Sequence, residues 1–296
     1  MKKVEIYSSP LCGFCHAAKR LLNEKGVDFV ETNVLAQPAK KTEMIQRAKE
    51  LYALIQKYRH TPGLLPPKGI PKTRSTRGHA MPMIMLATSQ IMRDVDPDPY
   101  YDQVITEAIA EVFDYFVKPE KKCLLETVLE DGSILDTPEG RTVNPGHAIE
   151  GAWFILREAL HRGRKEWIDL GCQMLDWTWE RGWDSEHGGL VSFCDLNRGQ
   201  PQTWWHQMKL WWPHNEAVLA CLYAFRATGD EKYLAMHRLV HEWAHEHFPD
   251  STHGEWFGYL QADGNPASTL KGDFWKGPFH LPRMQLYGAD IIGQIV

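Results

Sequence analysis

Long apolar stretches are missing from this chain of 296 residues. No run reaches the roughly 18 consecutive apolar residues that a membrane-spanning helix needs, so the sequence predicts none. A signal-peptide core is also lacking, because Met1-Lys2-Lys3 is followed by a short strand-like segment, and we expect a cytoplasmic protein. Lys and Arg total 33 against 38 Asp and Glu, for a net charge of -5. This balance argues against nucleic acid and anionic membranes as partners.

Cysteine is scarce, and its six positions do not indicate a disulfide framework in a chain of this length. Cys12 and Cys15 form a C-x-x-C pair, whereas the other four are isolated. Isolated cysteines in such proteins are mostly small buried hydrophobic residues. We expect this of Cys123, Cys172, Cys194 and Cys221.

Tryptophan is absent from the first half of the chain, and all 12 tryptophans lie at or beyond Trp153. A break in composition of this kind indicates two segments of different origin. The chain as a whole is 43% hydrophobic and 24% charged, which is typical of a globular protein with a substantial core.

The N-terminal segment predicts a strand over Val4–Tyr7, a helix over Cys15–Lys25 and a second strand over Val27–Val34. A C-x-x-C at a helix start has a chemical logic, because the helix N-terminus stabilises the thiolate of the first cysteine. The second cysteine then resolves the mixed disulfide. A zinc half-site is the alternative, but no second C-x-x-C supplies the remaining ligands.

The segment VEIYSSPLCGFCHAAKRLL, residues 4–22, resembles the opening of dithiol glutaredoxins, and the similarity extends to about Arg47. It implies a short thioredoxin-like βαβ fragment, with Cys12 and Cys15 as redox residues and glutathione as a candidate partner. The Thr-Val-Pro turn and the later Gly-Gly pair of glutaredoxins are absent. The glutaredoxin-like segment therefore does not include the groups with which glutaredoxins bind glutathione.

From about Lys40 the hydrophobic periodicity becomes helical, as in the stripe formed by Val104, Ala108 and Val112. Asp131-Gly132 separates two short apolar runs and predicts a hairpin within residues 124–135, and residues 188–193 are typical of a short strand. The predicted helices cover residues 42–58, 80–93, 98–117, 147–162, 165–181, 213–228, 230–247 and 279–294.

Four segments combine histidine, carboxylate and aromatic residues, three of them at predicted helix starts. Aromatic faces beside carboxylates suit a pyranose, whose CH groups stack on rings while its hydroxyls bond to charges. The alternative is that most tryptophans are core residues. In the first segment Glu150 lies three residues after His147 on one helix face, where we expect it to orient the imidazole. The segments are NPGHAIE (144–150), KLWWPHNE (209–216), HGEWFGY (253–259) and KGPFHLPR (276–283).

These segments resemble, in order and spacing, those of the N-acylglucosamine 2-epimerase family, over residues from about Glu50 to the C-terminus. The resemblance implies a mainly α protein with an incomplete (α/α)6 barrel, because eight helices are predicted where the family has twelve. It divides the chain into a truncated glutaredoxin-like segment, 1–48, and a partial barrel, 49–296. Family members are often dimers, which makes a homodimer an expectation here.

The resemblance implies proton transfer at C2 of an N-acyl-hexosamine or related aldose, without a cofactor. His147 and His280 would exchange the proton near neutral pH, and Glu216 would support formation of the enediolate. An arginine that the family uses near the substrate oxygens falls in the absent third of the barrel. The residues expected to bind the sugar are Glu150, Trp211, Trp212, Glu255 and Arg283.

His241-Glu242-Trp243-Ala244-His245 matches the H-E-x-x-H pattern of zinc proteases. Position 248 is Phe and no downstream helix offers an evident third ligand, so we predict no metal site. Two other function classes stay open: a thiol-disulfide oxidoreductase working through Cys12 and Cys15, and a non-catalytic binding protein. An aldose–ketose isomerase is a close variant of the epimerase, since both pass through the same enediolate.

Overall fold

The structure is a computed structural model that describes residues 4–10, 13–65, 75–277 and 279–295. Cys12 lies outside these described residues. The chain divides into two compact units, one of Met1–Lys68 with Ile91–Pro99 and one of Gly69–Gln90 with Tyr100–Val296. Among the helices in the described ranges, none is long and apolar enough to cross a membrane.

The first unit contains a parallel strand pair joined by a helix, in the order that the sequence predicts. Strand β1 (Val4–Ser8) pairs with β2 (Phe29–Asn33), and α1 (Gly13–Glu24) connects them. Helix α2 (Pro38–His60) begins four residues before its predicted start, because Pro38 occupies the first turn, where a missing N–H costs nothing. Arg47 on α2 bonds to Tyr7 of β1 at 2.8 Å and so ties this helix to the strand pair.

The second unit is mainly helical, and short antiparallel strand pairs connect its helices. Its helices are α3 (Ala80–Val95, with the residues up to Gln90 in this unit), α4 (Pro99–Glu111, from Tyr100), α5 (Pro145–Arg162), α6 (Lys165–Gly182), α7 (Trp211–Thr228), α8 (Glu231–His247) and α9 (His280–Ile295). A π-helical turn, Val112–Phe116, continues α4.

The strands of the second unit are two or three residues long and form antiparallel pairs. β3 pairs with β6, β4 with β5, β7 with β8 and β9 with β10, all antiparallel. They are β3 (Thr76–Gly78), β4 (Val117–Lys118), β5 (Cys123–Leu124), β6 (Thr127–Leu129), β7 (Thr142–Val143), β8 (Cys194–Asp195), β9 (Lys209–Leu210) and β10 (Tyr259–Leu260).

Helices α5 and α7 form the centre of the core. Helix α5 packs against α6 and α7, and α7 also packs against α8 and α9. Local signals fix the ends of α5: the Asn144 side chain caps its start, Pro145 fills the first position, and Gly163 ends it at φ 65°. Thirteen of its 18 residues are buried, so tertiary packing holds this helix in place.

The predicted helices of the second unit are confirmed, with end shifts of a few residues, whereas two predictions about strands are wrong. Asp131-Gly132 does form a tight turn, in which Gly132 donates to the Leu129 carbonyl. However, β6 before that turn forms its strand pair with β3, and although the Leu129 N–H donates to the Ser133 carbonyl across the turn, residues 130–135 contain no second strand. Residues 188–193 contain only an isolated bridge from Leu190 to Trp183, and the strand begins at Cys194.

Candidate active site

Glu216 lies at the centre of the candidate site, in the second turn of α7 and fully buried. Its Oε1 is 2.7 Å from His280 Nδ1 and 2.7 Å from the Arg283 guanidinium. Its Oε2 accepts a hydrogen bond of 2.7 Å from the Trp153 indole N–H. Burial alone raises the pKa of Glu216, but Arg283 and His280 outweigh burial and hold that pKa below its usual value. Glu216 is therefore a carboxylate with three donors.

His280 begins α9, and its contact with Glu216 fixes its tautomer. A carboxylate can only accept, so the proton sits on Nδ1 and the lone pair on Nε2. Arg283 approaches the same Nδ1 at 3.3 Å, but because that nitrogen already donates to Glu216 this is a contact and not a hydrogen bond. The His280 side chain is 19% exposed, so part of this imidazole is accessible to solvent.

Arg283 lies one turn further along α9 and binds two carboxylates. Its Nη2 bonds to Glu150 of α5 as well as to Glu216 of α7. Burial and the neighbouring Glu216 carboxylate hold the pKa of Glu150 above its usual value. Arg283 therefore joins three helices and supplies the positive charge that lets carboxylates occupy a buried position.

A divalent metal has no room among these carboxylates. Oxygen and nitrogen atoms of Glu150, Glu216 and His280 lie within 4.8 Å of one another, which is a ligand-like spacing. The Nη2 of Arg283 already bonds to both carboxylates, so a guanidinium occupies the position that a metal ion would take.

His147 occupies the first turn of α5 and has its own carboxylate partner. Its Nδ1 is 2.9 Å from Oε2 of Glu126, in the short connection between β5 and β6. Its backbone N–H donates to the capping side chain of Asn144 at 3.2 Å. The expected pairing of His147 with Glu150 is wrong, because Glu150 is engaged by Arg283.

The Glu126–His147 pair is electrostatically strong. Burial lowers the pKa of His147, but the charge and hydrogen bond of Glu126 outweigh burial and raise it. Burial likewise raises the pKa of Glu126, yet His147 brings it down to about 2. As in His280, the carboxylate holds the proton on Nδ1, so Nε2 of His147 is the nitrogen left to exchange a proton.

Trp212 lies next to both imidazoles. Its ring centroid is 5.2 Å from that of His147 and 5.5 Å from that of His280. Gly146 permits this arrangement, because a Cβ at that position would lie 2.2 Å from the Trp212 ring. The site thus places one flat apolar surface beside two histidines that each present Nε2.

Trp211 and Glu255 lie further from the two histidines. The Trp211 ring centroid is 6.2 Å from that of His280, and the Lys276 ammonium lies 5.7 Å from the Trp211 ring centre. Lys276 also bonds to Glu255 Oε1 at 2.8 Å. Glu255 has a left-handed backbone conformation, φ 61°, which is strained for a side chain of this kind. Its carboxylate is half-exposed and available to a ligand.

Three residues of this region escape the sequence analysis. The sequence pattern indicates that Trp153 is a core residue, and it is buried. Its indole N–H also donates a hydrogen bond to Glu216. Glu126 lies in a turn-rich segment with no pattern of its own. His79 is fully buried 3.8 Å from Glu126 Oε1, and neither of its ring nitrogens has a hydrogen-bond partner among the described residues. A carboxylate between two short apolar runs is the only signal that could have indicated Glu126.

The cysteines follow the expectation where the structure describes them. The four isolated cysteines are free thiols, and burial raises the pKa of each. Cys123, Cys172 and Cys221 are buried, and Cys194 is half-buried. Cys15 is half-buried in the first turn of α1.

The helical architecture places this chain among proteins with an α-toroid fold. The solved structure of cellobiose 2-epimerase from Bacillus thermoamylovorans superposes with a TM-score of 0.72 at 18% identity, covering 85% of this chain and 66% of that one. A likeness at this identity shows a shared fold.

The chain belongs to the N-acylglucosamine 2-epimerase family, whose sequence profile matches residues 32–278. The N-acylglucosamine 2-epimerase of Rattus norvegicus is 36% identical over 235 residues, which are 76% of this chain and 54% of that protein. The chain therefore spans about half the length of this relative. Glutaredoxin 3 of Escherichia coli is 48% identical over 48 residues, 16% of this chain and 58% of that protein.

Proposed function

We propose that this chain is a sugar 2-epimerase or isomerase that transfers a proton at C2 of an N-acyl-hexosamine or a related aldose. The observation that supports this best is the pair of imidazoles beside Trp212. Each donates its Nδ1 proton to a different carboxylate, His147 to Glu126 and His280 to Glu216. Two nitrogens, one on each histidine, are thereby prepared to accept or return a proton.

The reaction acts on the ring-opened sugar, in which C2 is next to the C1 carbonyl. His280 Nε2 removes the C2 proton, and the C–H bonding electrons form the enediolate. His147, whose pKa is raised by Glu126, more readily carries a proton near neutral pH and returns it from Nε2 to the opposite face of C2. In the reverse direction the two histidines exchange roles. One C–H bond breaks and another forms, so the atoms balance without an oxidant or reductant.

Charged neighbours would stabilise the intermediate and hold the sugar. Glu216 orients His280 and stabilises its imidazolium once the C2 proton has been taken. Arg283 offers positive charge beside the enediolate, and Glu150 keeps that guanidinium in place. Proton return to C1 in place of C2 would give a ketose, so the same residues serve an isomerase.

Sugar binding would use the aromatic and carboxylate groups at the edge of this centre. The Trp212 face, next to both histidines, suits the CH groups of the substrate chain. Trp211 and Glu255 lie further from the two histidines and suit the hydroxyl or acyl groups of the sugar that are more distant from C2.

The domain organisation belongs to the same proposal. Residues 49–296 would form part of an (α/α)6 barrel, and residues 1–48 would be a truncated thioredoxin-like βαβ fragment. The family arginine that falls outside the matched segments would then have to be dispensable, or the rate would be low. Pairing into a homodimer is part of the proposal as well.

Proton exchange tests the function directly. Purified protein is incubated with N-acetylmannosamine in D2O, and the C2 proton is followed by proton NMR. We expect loss of the C2 signal with the wild-type protein and with His161→Ala, a matched change at an exposed histidine of α5. We expect no loss with His280→Ala. Absence of exchange by folded wild-type protein would refute the proposal and leave the binding-protein alternative.

A thiol-disulfide oxidoreductase is the second candidate, and the glutaredoxin 3 similarity over 48 residues favours it. Cys15 lies in the first turn of α1, the position expected for the second, resolving cysteine of the C-x-x-C pair. Glutathione-dependent reduction of a small mixed disulfide, lost in Cys12→Ser and kept in Cys172→Ser, would support it. Equal rates in both variants would refute it.

A further inference from the structure

A ladder of three histidines runs along one face of α8, outside the candidate active site. His237, His241 and His245 are spaced four residues apart, so their side chains lie one above another on successive turns. The ring centroids of His241 and His245 are 4.0 Å apart, and those of His237 and His241 are 5.5 Å apart. His241 and His245 are both exposed to solvent.

The tautomer of His245 makes this face a ligand surface. Its Nδ1 lies 2.8 Å from the backbone carbonyl of His241, so Nδ1 carries the proton and Nε2 keeps its lone pair. A histidine that donates one ring N–H to a backbone carbonyl and presents the other nitrogen has the usual arrangement of a metal ligand. Trp256, whose ring meets His245 edge to face at 5.1 Å, fixes the orientation of this imidazole.

His241 is suited to be the second ligand. Its ring makes no hydrogen bond among the described residues. It is exposed to solvent, and its ring stacks on that of His245 with an interplanar angle of 25°. Neutral imidazole is the form that coordinates a metal ion.

We propose that His241 and His245 chelate one divalent transition-metal ion on the surface of α8. Imidazole pairs suit Cu2+, Ni2+ and Zn2+, with Cu2+ bound most tightly, and do not suit Mg2+ or Ca2+. Water fills the remaining coordination positions, so this is not the closed site of a zinc protease. Glu242 falls on a different helix face from the two ligands, one residue away from His241.

His237 distinguishes chelation by one specific histidine pair from binding of the metal ion to any nearby histidine. It stands beside the chelate, yet its Nδ1 faces the Val218 carbonyl of α7 at 3.3 Å, and its ring is the more distant of the two neighbours of His241. We therefore expect His237 to contribute little. The two histidines of the H-E-x-x-H pattern are thus the proposed ligands, but the proposed site is a surface chelate and not the catalytic site of a zinc protease.

Calorimetric titration with CuCl2 tests the site, with copper EPR as a second readout. The full chain is used without an affinity tag and with Cys12→Ser and Cys15→Ser, because the C-x-x-C pair is a competing copper ligand. We expect one Cu2+ per chain and an EPR spectrum with two equivalent imidazole nitrogens. His241→Ala and His245→Ala should each weaken binding by about tenfold or more, or about 1.4 kcal/mol. His237→Ala and the control His161→Ala should change the affinity by less than about threefold.

Both ligands are exposed, so replacing either one should leave the fold intact. Circular dichroism of each variant without metal checks this, and a change in copper affinity can then be attributed to the lost ligand. Wild-type affinity in His241→Ala or His245→Ala would overturn the proposal. An equal loss in His237→Ala and His245→Ala would overturn the assignment of the pair. An equal loss in His161→Ala would show binding spread over surface histidines and would also overturn it.

Discussion

Glu126→Gln separates the charge of Glu126 from its shape. Glutamine keeps an oxygen that can accept the Nδ1 proton of His147, so the tautomer is retained. The negative charge is lost, and with it the attraction that raises the pKa of His147 against the effect of burial. Since burial then acts alone, we expect the pKa of His147 to fall.

The size of this fall follows from the geometry. Two unit charges with centres about 4 Å apart attract by about 4 kcal/mol at an effective dielectric constant of about 20. The His147 side chain is 30% exposed, and screening by solvent reduces this attraction. An attraction of about 1–2 kcal/mol remains after this screening, and its loss in the variant lowers the pKa of His147.

NMR titration of the imidazole nitrogens of His147 measures this pKa without relying on activity. Glu246→Gln is the control, because Glu246 is an exposed carboxylate of α8 outside this site. C2 exchange measured against pH should shift in the same direction, since the protonated form of His147 would then be populated only at lower pH. A His147 pKa in Glu126→Gln that is the same as in the wild type would refute the electrostatic account.

Three further results are expected. Gly146→Ala places a Cβ against the rigid Trp212 ring, so unfolding in urea should show a loss of about 1–3 kcal/mol; an unchanged midpoint would contradict the close contact. Trp153→Phe leaves the buried Glu216 without one donor, which should cost about 1–3 kcal/mol and raise the Glu216 pKa in a carbon-13 titration. The Glu126 carboxylate has a pKa of about 2 in place of 4.5, so its stabilising contribution is present above about pH 4.5 and disappears as the pH falls toward 2. Glu126→Gln should flatten that part of the thermal-stability profile.

The helices were predictable because their information is local. Apolar periodicity, Asn144 at a cap and Gly163 at an end all act within one or two turns. The segments around His147, Glu216 and His280 could likewise be recognised from short runs of sequence. Each of the three lies near a helix start, and the fold brings those starts together.

Partners that come from distant parts of the chain were not predictable. Glu126 reaches His147 only because β6 pairs with β3, about fifty residues earlier, and no local pattern encodes that pairing. The same non-local pairing made the predicted hairpin at Asp131 wrong. Glu150 had the right spacing to orient His147, but Arg283, 133 residues away, competes for its carboxylate.

The separate carboxylates of His147 and His280 have a kinetic consequence. Because no hydrogen bond among the described residues links Glu126 to Glu216, the proton gained by one imidazole does not pass directly to the other. The free protein would then exist in two isomeric protonation forms, each ready for one epimer, and every turnover would convert one form into the other. Before a second turnover in the same direction, solvent must reset both histidines. In D2O the newly formed epimer would carry deuterium from its first appearance, while the remaining substrate would still carry hydrogen.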